Sequence, residues 1–575
     1  MSYTLVVVDT TQIQRYIFAS NRLAENIGAS WLVKQATGAW ALETVQQVAP
    51  SNNITDPQKN ALDASKRIED GKLDAEVIYA SGGNVLAIFK DADKAGAFIR
   101  QLSRWVLCTA PGLTLLFARQ SFAWSPGGLF RAVQDAFKDL ERQKAERAFD
   151  APMLGLGVTA ACRSTGLPAN AIYSYGSDKH QPLASAIVAK LRAAERSHAD
   201  LRALFQDILA GEYDFPRELE RLGRSKGEQS FIAVVHVDGN GFGQAMQRLG
   251  EKHREDNRGY IQAVRARSQA LESAASEALR ETVDILIRAV RRSARGDHEV
   301  RFIGKPADAD RADALRLHRN KEEGTWFLPF RPLIFGGDDT TFVCDGRLAL
   351  SLASSYLASF ADKAKHYLHE AGVLLPEENP SACAGIAIVK SRYPFARAYD
   401  LAEDLCDNAK RFRAQEKALT KREQGCFLDW HFAISGLVGT IGDVRRREYE
   451  TRHGALTLRP VHLDALTLGA SFDAHSARSW KVVEHLVESF QGEDWAERRN
   501  KVKALREALR EGPQAVKRFN AIYNLGAKGL PAAEEGDTGD HRQTGWLKQT
   551  ASERERCAYF DAIELADLYM PLALD

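Results

Sequence analysis

The sequence predicts an α+β fold in which one unit, strand–helix–hairpin–helix–strand, occurs twice, with helical segments between the copies and after them. Three observations predict it. Short apolar runs punctuate the chain, two pairs of runs flank Gly-Gly tips as hairpins do, and the order of elements in the first half returns in the second. The 575-residue length exceeds one ordinary core, so several domains are expected.

The first copy opens with "YTLVVVD" (3–9), a continuous apolar run of the kind a buried strand shows. A helical segment covers roughly 12–48, and "AEVIYASGGNVLAIF" (75–89) then reads as a hairpin around Ser-Gly-Gly-Asn. A helix over about 92–107 leads to the strand "LTLLFARQSF" (113–122). The second copy starts at "SFIAVVHVDGNGFG" (230–243), a strand ending in an aspartate. Leu279, Val283, Leu286, Ile287 and Val290 then mark one face of a long helix. The hairpin "PLIFGGDDTTFVC" (332–344), a helix over about 347–372, the strand "ACAGIAIVK" (382–390) and the helix "PFARAYDLAEDLCDNAKRF" (394–412) complete the series.

The order βαββαβ is ferredoxin-like, an antiparallel sheet with helices on one face. The expected division is 1–125 for the first copy, 126–225 for a helical connecting domain, 226–430 for the second copy and 431–575 for a C-terminal helical domain.

Composition narrows the function. Lys plus Arg (77) nearly cancels Asp plus Glu (76), so no global field announces a nucleic acid or a membrane. Seven cysteines stand without a CxxC pair, which argues against a zinc ribbon or a disulfide framework and fits a reducing compartment. With no basic, apolar N-terminal leader and no long uncharged apolar run, a cytoplasmic protein without membrane spans is expected.

The chemistry concentrates in the second copy. Asp238 ends its first strand, and Asp338 and Asp339 sit at the hairpin tip. In a ferredoxin-like sheet these strands are neighbours about 5 Å apart, so three carboxylates meet at one sheet edge. Unpaired carboxylates that close repel one another and call for a cation. An oxygen-only donor set favours Mg²⁺ or Mn²⁺ over zinc. Gly336 and Gly337 let the tip bend sharply. The segment Gly239, Asn240, Gly241, Phe242 and Gly243 opens a helix whose free N–H groups suit a triphosphate, and Lys410 reaches the same phosphates as a point charge. Taken singly, a Gly-Asp turn is most often just a solvated turn; the combination carries the reading. The first copy keeps Asp9 at the strand end, but its tip is Gly82-Gly83-Asn84-Val85. It is therefore expected to bind metal poorly, as a scaffold with a degenerate site.

The GGDD hairpin, the "VDGNGFG" strand end, the helix carrying "AEDLCDNAKRF" and the opening "IQRYIFASNRLAENIGAS" (13–30) together resemble the large subunit of type III CRISPR effector complexes, across both of its palm domains. A more distant similarity is to the GGDEF nucleotidyl cyclases. The resemblance implies two palm domains and the joining of ATP into cyclic oligoadenylates in antiviral defence. It also implies metals on Asp238, Asp338 and Asp339, a substrate pocket shaped by Gly336 and Gly337, and contact of Lys410 with the triphosphate. Partners would be nucleoside triphosphates, guide or target RNA and other CRISPR-type subunits. The family's HD nuclease domain and inter-palm zinc cysteines have no counterpart here, so DNA cleavage by such a domain is not expected.

The competing reading is a non-catalytic RNA- or protein-binding scaffold. It would use the basic stretches Arg291, Arg292 and Arg295; Lys410, Arg411 and Arg413; and Arg445 to Arg447, although such stretches are more often solvated helix faces. A P-loop ATPase is set aside, because no GxxxxGK[ST] is present.

Overall fold

In a computed structural model the protein is a mixed α+β molecule with several sheets. The structure describes residues 2–146, 156–176, 178–222, 231–293, 296–302, 315–421, 424–433, 439–463, 477–492, 494–495, 498–534, 537–548 and 554–573.

The first unit runs β1 (Ser2–Thr11), α1 (Ile13–Phe18), α2 (Leu23–Thr37), β2 (Ala75–Ser81), β3 (Asn84–Phe89), α3 (Ala92–Thr109), β4 (Thr114–Ala123) and α4 (Gly128–Glu146). Its sheet has the order β2-β3-β1-β4, antiparallel throughout. Because β1 is apolar at successive positions, both of its faces need cover. Val6 and Val8 pack towards α1–α3, while Leu5 and Val7 pack towards α4.

After α5 (Ser185–Leu204), the second unit runs β5 (Phe231–Gly239), α6 (Phe242–Lys252), α7 (Asn257–Arg288), β6 (Phe330–Gly336), β7 (Asp339–Asp345), α8 (Ala349–Glu370), β8 (Ala382–Lys390), α9 (Phe395–Thr420) and β9 (Phe427–Ala433). Its sheet begins β6-β7-β5-β8, the order of the first unit, and extends through β9, which runs parallel to β8. Ala233, Val235, Val237 and Phe342 face α7 and α8. Val234, Val343 and Val389 face α9. Helices thus cover both faces of each sheet rather than one, as expected of strands apolar on both sides. At Gly385 the fit of α9 on β8 is so close that a Cβ would lie 1.9 Å from the Ala402 carbonyl oxygen.

The two units share one core, since Tyr16 and Phe18 of α1 belong to the same apolar cluster as Val234 and Tyr399. The Phe18 ring stacks on Tyr399 at 3.9 Å. The Asn21 side chain accepts a hydrogen bond from the Phe395 backbone N–H (2.8 Å), capping α9 from the other unit, and Ser30 donates to the Leu333 carbonyl (2.5 Å). The first unit therefore grips both β6 and α9, the elements that flank the acidic hairpin.

The connecting and C-terminal regions are less purely helical than their charge patterns suggest. Ala171–Tyr175 and Asp178–Leu183 pair as two antiparallel strands, and a small four-stranded sheet lies beyond residue 449. No described helix is long and apolar enough to cross a membrane.

Candidate functional site

The register of β5 against β7 builds the site. Asp238 lies directly opposite Asp339, and the next residue's N–H, that of Gly239, donates to the Asp338 carbonyl at 2.9 Å. Asp238 and Asp339 are therefore a non-hydrogen-bonded antiparallel pair, the kind whose side chains stand closest on one face. Gly336 pairs with Asp339, so only Gly337 and Asp338 form the loop. Gly336 and Gly337 take φ values of 147° and 66°, which a side chain would resist.

Crowding shows in the electrostatics. Burial and then the neighbouring Asp238 and Asp338 charges push the Asp339 carboxyl up to about 8, against the pull of Lys410. Its Oδ1 is enclosed and lacks a hydrogen-bond partner, although 40% of the side chain reaches solvent. Asp338 is raised by burial and then by Asp238. Burial alone would lower the Lys410 ammonium, but the Asp238 carboxylate it pairs with holds it above its usual value.

His236, on the same face as Asp238, places Nδ1 3.2 Å from Thr341 Oγ1 and 3.5 Å from Asp339 Oδ1. The Tyr399 ring meets the imidazole edge-on at 5.5 Å. Burial lowers the pKa of His236, with Asp238 and Glu403 opposing. On α9, Glu403 accepts a hydrogen bond from Gln14 of the first unit at 3.3 Å. Beside it an open cleft of about 600 Å³ is lined by Asp404, Asp407, Lys410, Arg411 and Ala414. Glu403, Asp407 and Lys410 follow an i, i+4, i+7 spacing, which marks one helical face; that spacing was the available sequence signal.

Asp238, Asp339 and Lys410 thus come together, with Asp338 at the adjoining turn. The helix-opening segment serves less than expected. The N–H groups of Gly239 and Asn240 are already bonded, to Asp338 and Ser381. The Asn240 side chain turns inward, donating to Ser381 Oγ (3.1 Å) and accepting from Cys383 Sγ (3.2 Å). Phe242 is buried against Phe360, so its ring belongs to the core. Gly241, Phe242 and Gly243 can offer a ligand only the backbone N–H groups of a helix start.

The acidic set is oxygen-only, and Asp339 holds an unpartnered buried oxygen, so its donors suit Mg²⁺ or Mn²⁺. Among the described residues, however, no group of three or more His, Cys, Asp or Glu side chains stands at metal-holding geometry. The Lys410 ammonium is the cation beside Asp238 in this structure.

The first unit repeats part of this arrangement. Asp9 lies opposite Asn84 near the end of β1, which continues to Thr11, and Lys144, on the helix after the last strand, pairs with Asp9 Oδ2 at 2.8 Å. The sequence reading found Asp9 but missed Lys144. Of the basic stretches, Arg445 is held by the buried Asp429 carboxylate and Lys410 by Asp238, while Arg295 lies outside the described residues.

Neither a family model nor a curated protein matches the chain. Solved structures of Csm1–Csm4 cassettes are similar in overall course. The cassette in complex with cA4 matches with a TM-score of 0.48 and 12% identity, over 98% of this chain and 70% of that one. The complex with AMPPNP gives 0.48 and 13%, over 98% and 69%. The apo cassette gives 0.47 and 11%, over 98% and 70%. A likeness this distant carries no argument about chemistry. The similarity to GGDEF cyclases gains no support from these comparisons.

Proposed function

We propose that this chain is a metal-dependent nucleotidyltransferase of the type III CRISPR large-subunit kind, joining nucleoside triphosphates, ATP foremost, into cyclic oligonucleotides. The reading rests on one observation above the rest: Asp238 and Asp339 face each other across two strands at a Gly-Gly turn, with Asp338 in that turn. The shared strand order of the two sheets supports reading both as ferredoxin-like palms, and Gln14 and Phe18 of the first reach the site in the second.

Mg²⁺ or Mn²⁺ on Asp238, Asp338 and Asp339 would neutralise triphosphate charge and acidify the attacking hydroxyl. Lys410 exchanges its Asp238 partner for phosphate oxygens, and the open glycine turn admits the α-phosphate close to the backbone. A ribose hydroxyl of one nucleotide attacks the α-phosphate of another. The new P–O bond forms as the bond to pyrophosphate breaks, and the hydroxyl proton passes to solvent or a site carboxylate. The chain contributes mainly positioning and charge. The Asp9–Lys144 pair beside Gly82 and Gly83 is read as holding the phosphates of the second nucleotide.

One observation favours the scaffold alternative. Lys410 already compensates Asp238, as Lys144 compensates Asp9, so each strand-end carboxylate is satisfied without metal. Incubation with α-labelled ATP and Mn²⁺, with and without RNA, separates the two. Oligonucleotide product that disappears in Asp338→Ala supports the enzyme; no product in any condition favours the scaffold, and product unaffected by that substitution refutes the assignment of the site.

A further inference from the structure

A second cavity, remote in sequence from the acidic hairpin, lies where the first unit meets α7. It measures about 210 Å³ and is bounded by the turn at Asn60, the β2 edge and one face of α7. β2 carries a bulge between Val77 and Tyr79, which loosens the edge there. Leu62, Ile78 and Tyr79 supply an apolar wall, and Gln269 and Glu272 a polar rim.

Two lining side chains, the buried Arg265 and the half-buried Asn60, each hold an enclosed polar atom without a partner. Arg265 is 5% exposed; its Nε donates to the Ile78 carbonyl and one terminal nitrogen to Val77 and Glu76, but the other terminal nitrogen has no partner. Asn60 donates through Nδ2 to the Ala80 carbonyl at 2.8 Å, leaving Oδ1 enclosed and unpaired. A buried donor or acceptor without a partner is costly, so a group that supplies one finds a ready place. The Arg265 charge is already answered by Glu76, and the Lys59 ammonium at the mouth is solvent-exposed beside Asp56 at 4.0 Å. The cavity therefore calls for a neutral occupant rather than an anion.

We propose that this cavity is a nucleobase-binding site. A base offers a ring acceptor for the Arg265 N–H, an exocyclic amine for Asn60 Oδ1, and a flat apolar face for the Leu62–Tyr79 wall. Its size suits a cavity smaller than the roughly 300 Å³ of ordinary ligand pockets. The site is independent of the acidic hairpin and of the reaction proposed for it. A free nucleotide and a single RNA strand both present this chemistry, and the test separates them.

The full-length chain is titrated with adenosine, AMP and oligoadenylate RNA by calorimetry in EDTA, which silences any metal-dependent site. Saturable binding is expected. Gln269→Trp, a plug at an exposed helix position, should weaken it at least tenfold, as should Asn60→Ala, with melting temperatures confirming folded variants. Asp338→Ala should leave it unchanged. Similar affinity for AMP and RNA identifies a free nucleotide as sufficient ligand; RNA bound at least tenfold tighter identifies a strand. Absence of saturable binding, or binding unaffected by Gln269→Trp, overturns the assignment and leaves the cavity to water.

Discussion

Removing the Asp339 charge should stabilise the metal-free protein. The folded state lifts this carboxyl from 3.8 to about 8, so its neutral form is favoured in the fold. The native state binds the extra proton between those values. Wild-type stability from this group is fully present below pH 3.8 and is lost as pH rises through about 8. Taken whole, the shift is worth roughly 6 kcal/mol at 1.36 kcal/mol per unit. With 40% of the side chain in solvent, screening reduces this to about 1–2 kcal/mol. Asp339→Asn should therefore melt about 1–2 °C above wild type at pH 8.5 in EDTA. The gain should shrink steadily towards pH 4. Scanning calorimetry across that range, with and without Mn²⁺, reads it directly. Mn²⁺ should raise the wild-type melting temperature and leave the variant's unchanged. A variant that melts no higher at pH 8.5, or gains as much near pH 4, would refute the crowding argument.

Phe18→Ala removes a stacked ring buried between the units and should cost about 3–5 kcal/mol, read by urea denaturation with loss of a single cooperative transition. Gly385→Ala forces a Cβ to 1.9 Å from the Ala402 carbonyl oxygen and should lower stability by more than about 3 kcal/mol, or displace α9 enough to weaken Mn²⁺ binding. Lys410→Met leaves Asp238 without its cation, so calorimetry should find Mn²⁺ binding more tightly in the absence of nucleotide and ATP binding more weakly. Lys144→Met should do the same to ATP without changing affinity for Mn²⁺, because Asn84 and Val85 supply no charge to the first turn.

The strand order and the acidic turn were legible because both rest on local signals: short apolar runs, Gly-Gly tips and an aspartate at a strand end. Two registers then complete the site: the hairpin closes at Gly336 and Asp339, and the separate pairing of β5 with β7 sets Asp339 opposite Asp238. What escaped depends on contacts distant in sequence. The 3.6-residue periodicity of a helix says nothing of which lysine reaches a carboxylate, and Lys144 reads as one charge on a solvated helix face until Asp9 is seen beside it. Asn240 and Phe242 looked available for phosphate because their motif stands before a helix; Ser381, Cys383 and Phe360, from later elements, claim them instead. β9 was missed because "CFLDWHFA" mixes charged and apolar residues. The charge proves to be Asp429, buried and answered by Arg445.

The most direct test of the central claim is Mn²⁺ binding followed by electron paramagnetic resonance in the presence of a non-hydrolysable ATP analogue. The account predicts saturable, nucleotide-enhanced binding by wild type that is lost in Asp238→Asn, Asp338→Asn and Asp339→Asn alike, each variant folded. Wild type that binds no Mn²⁺ with nucleotide present, or variants that bind it as wild type does, would contradict it.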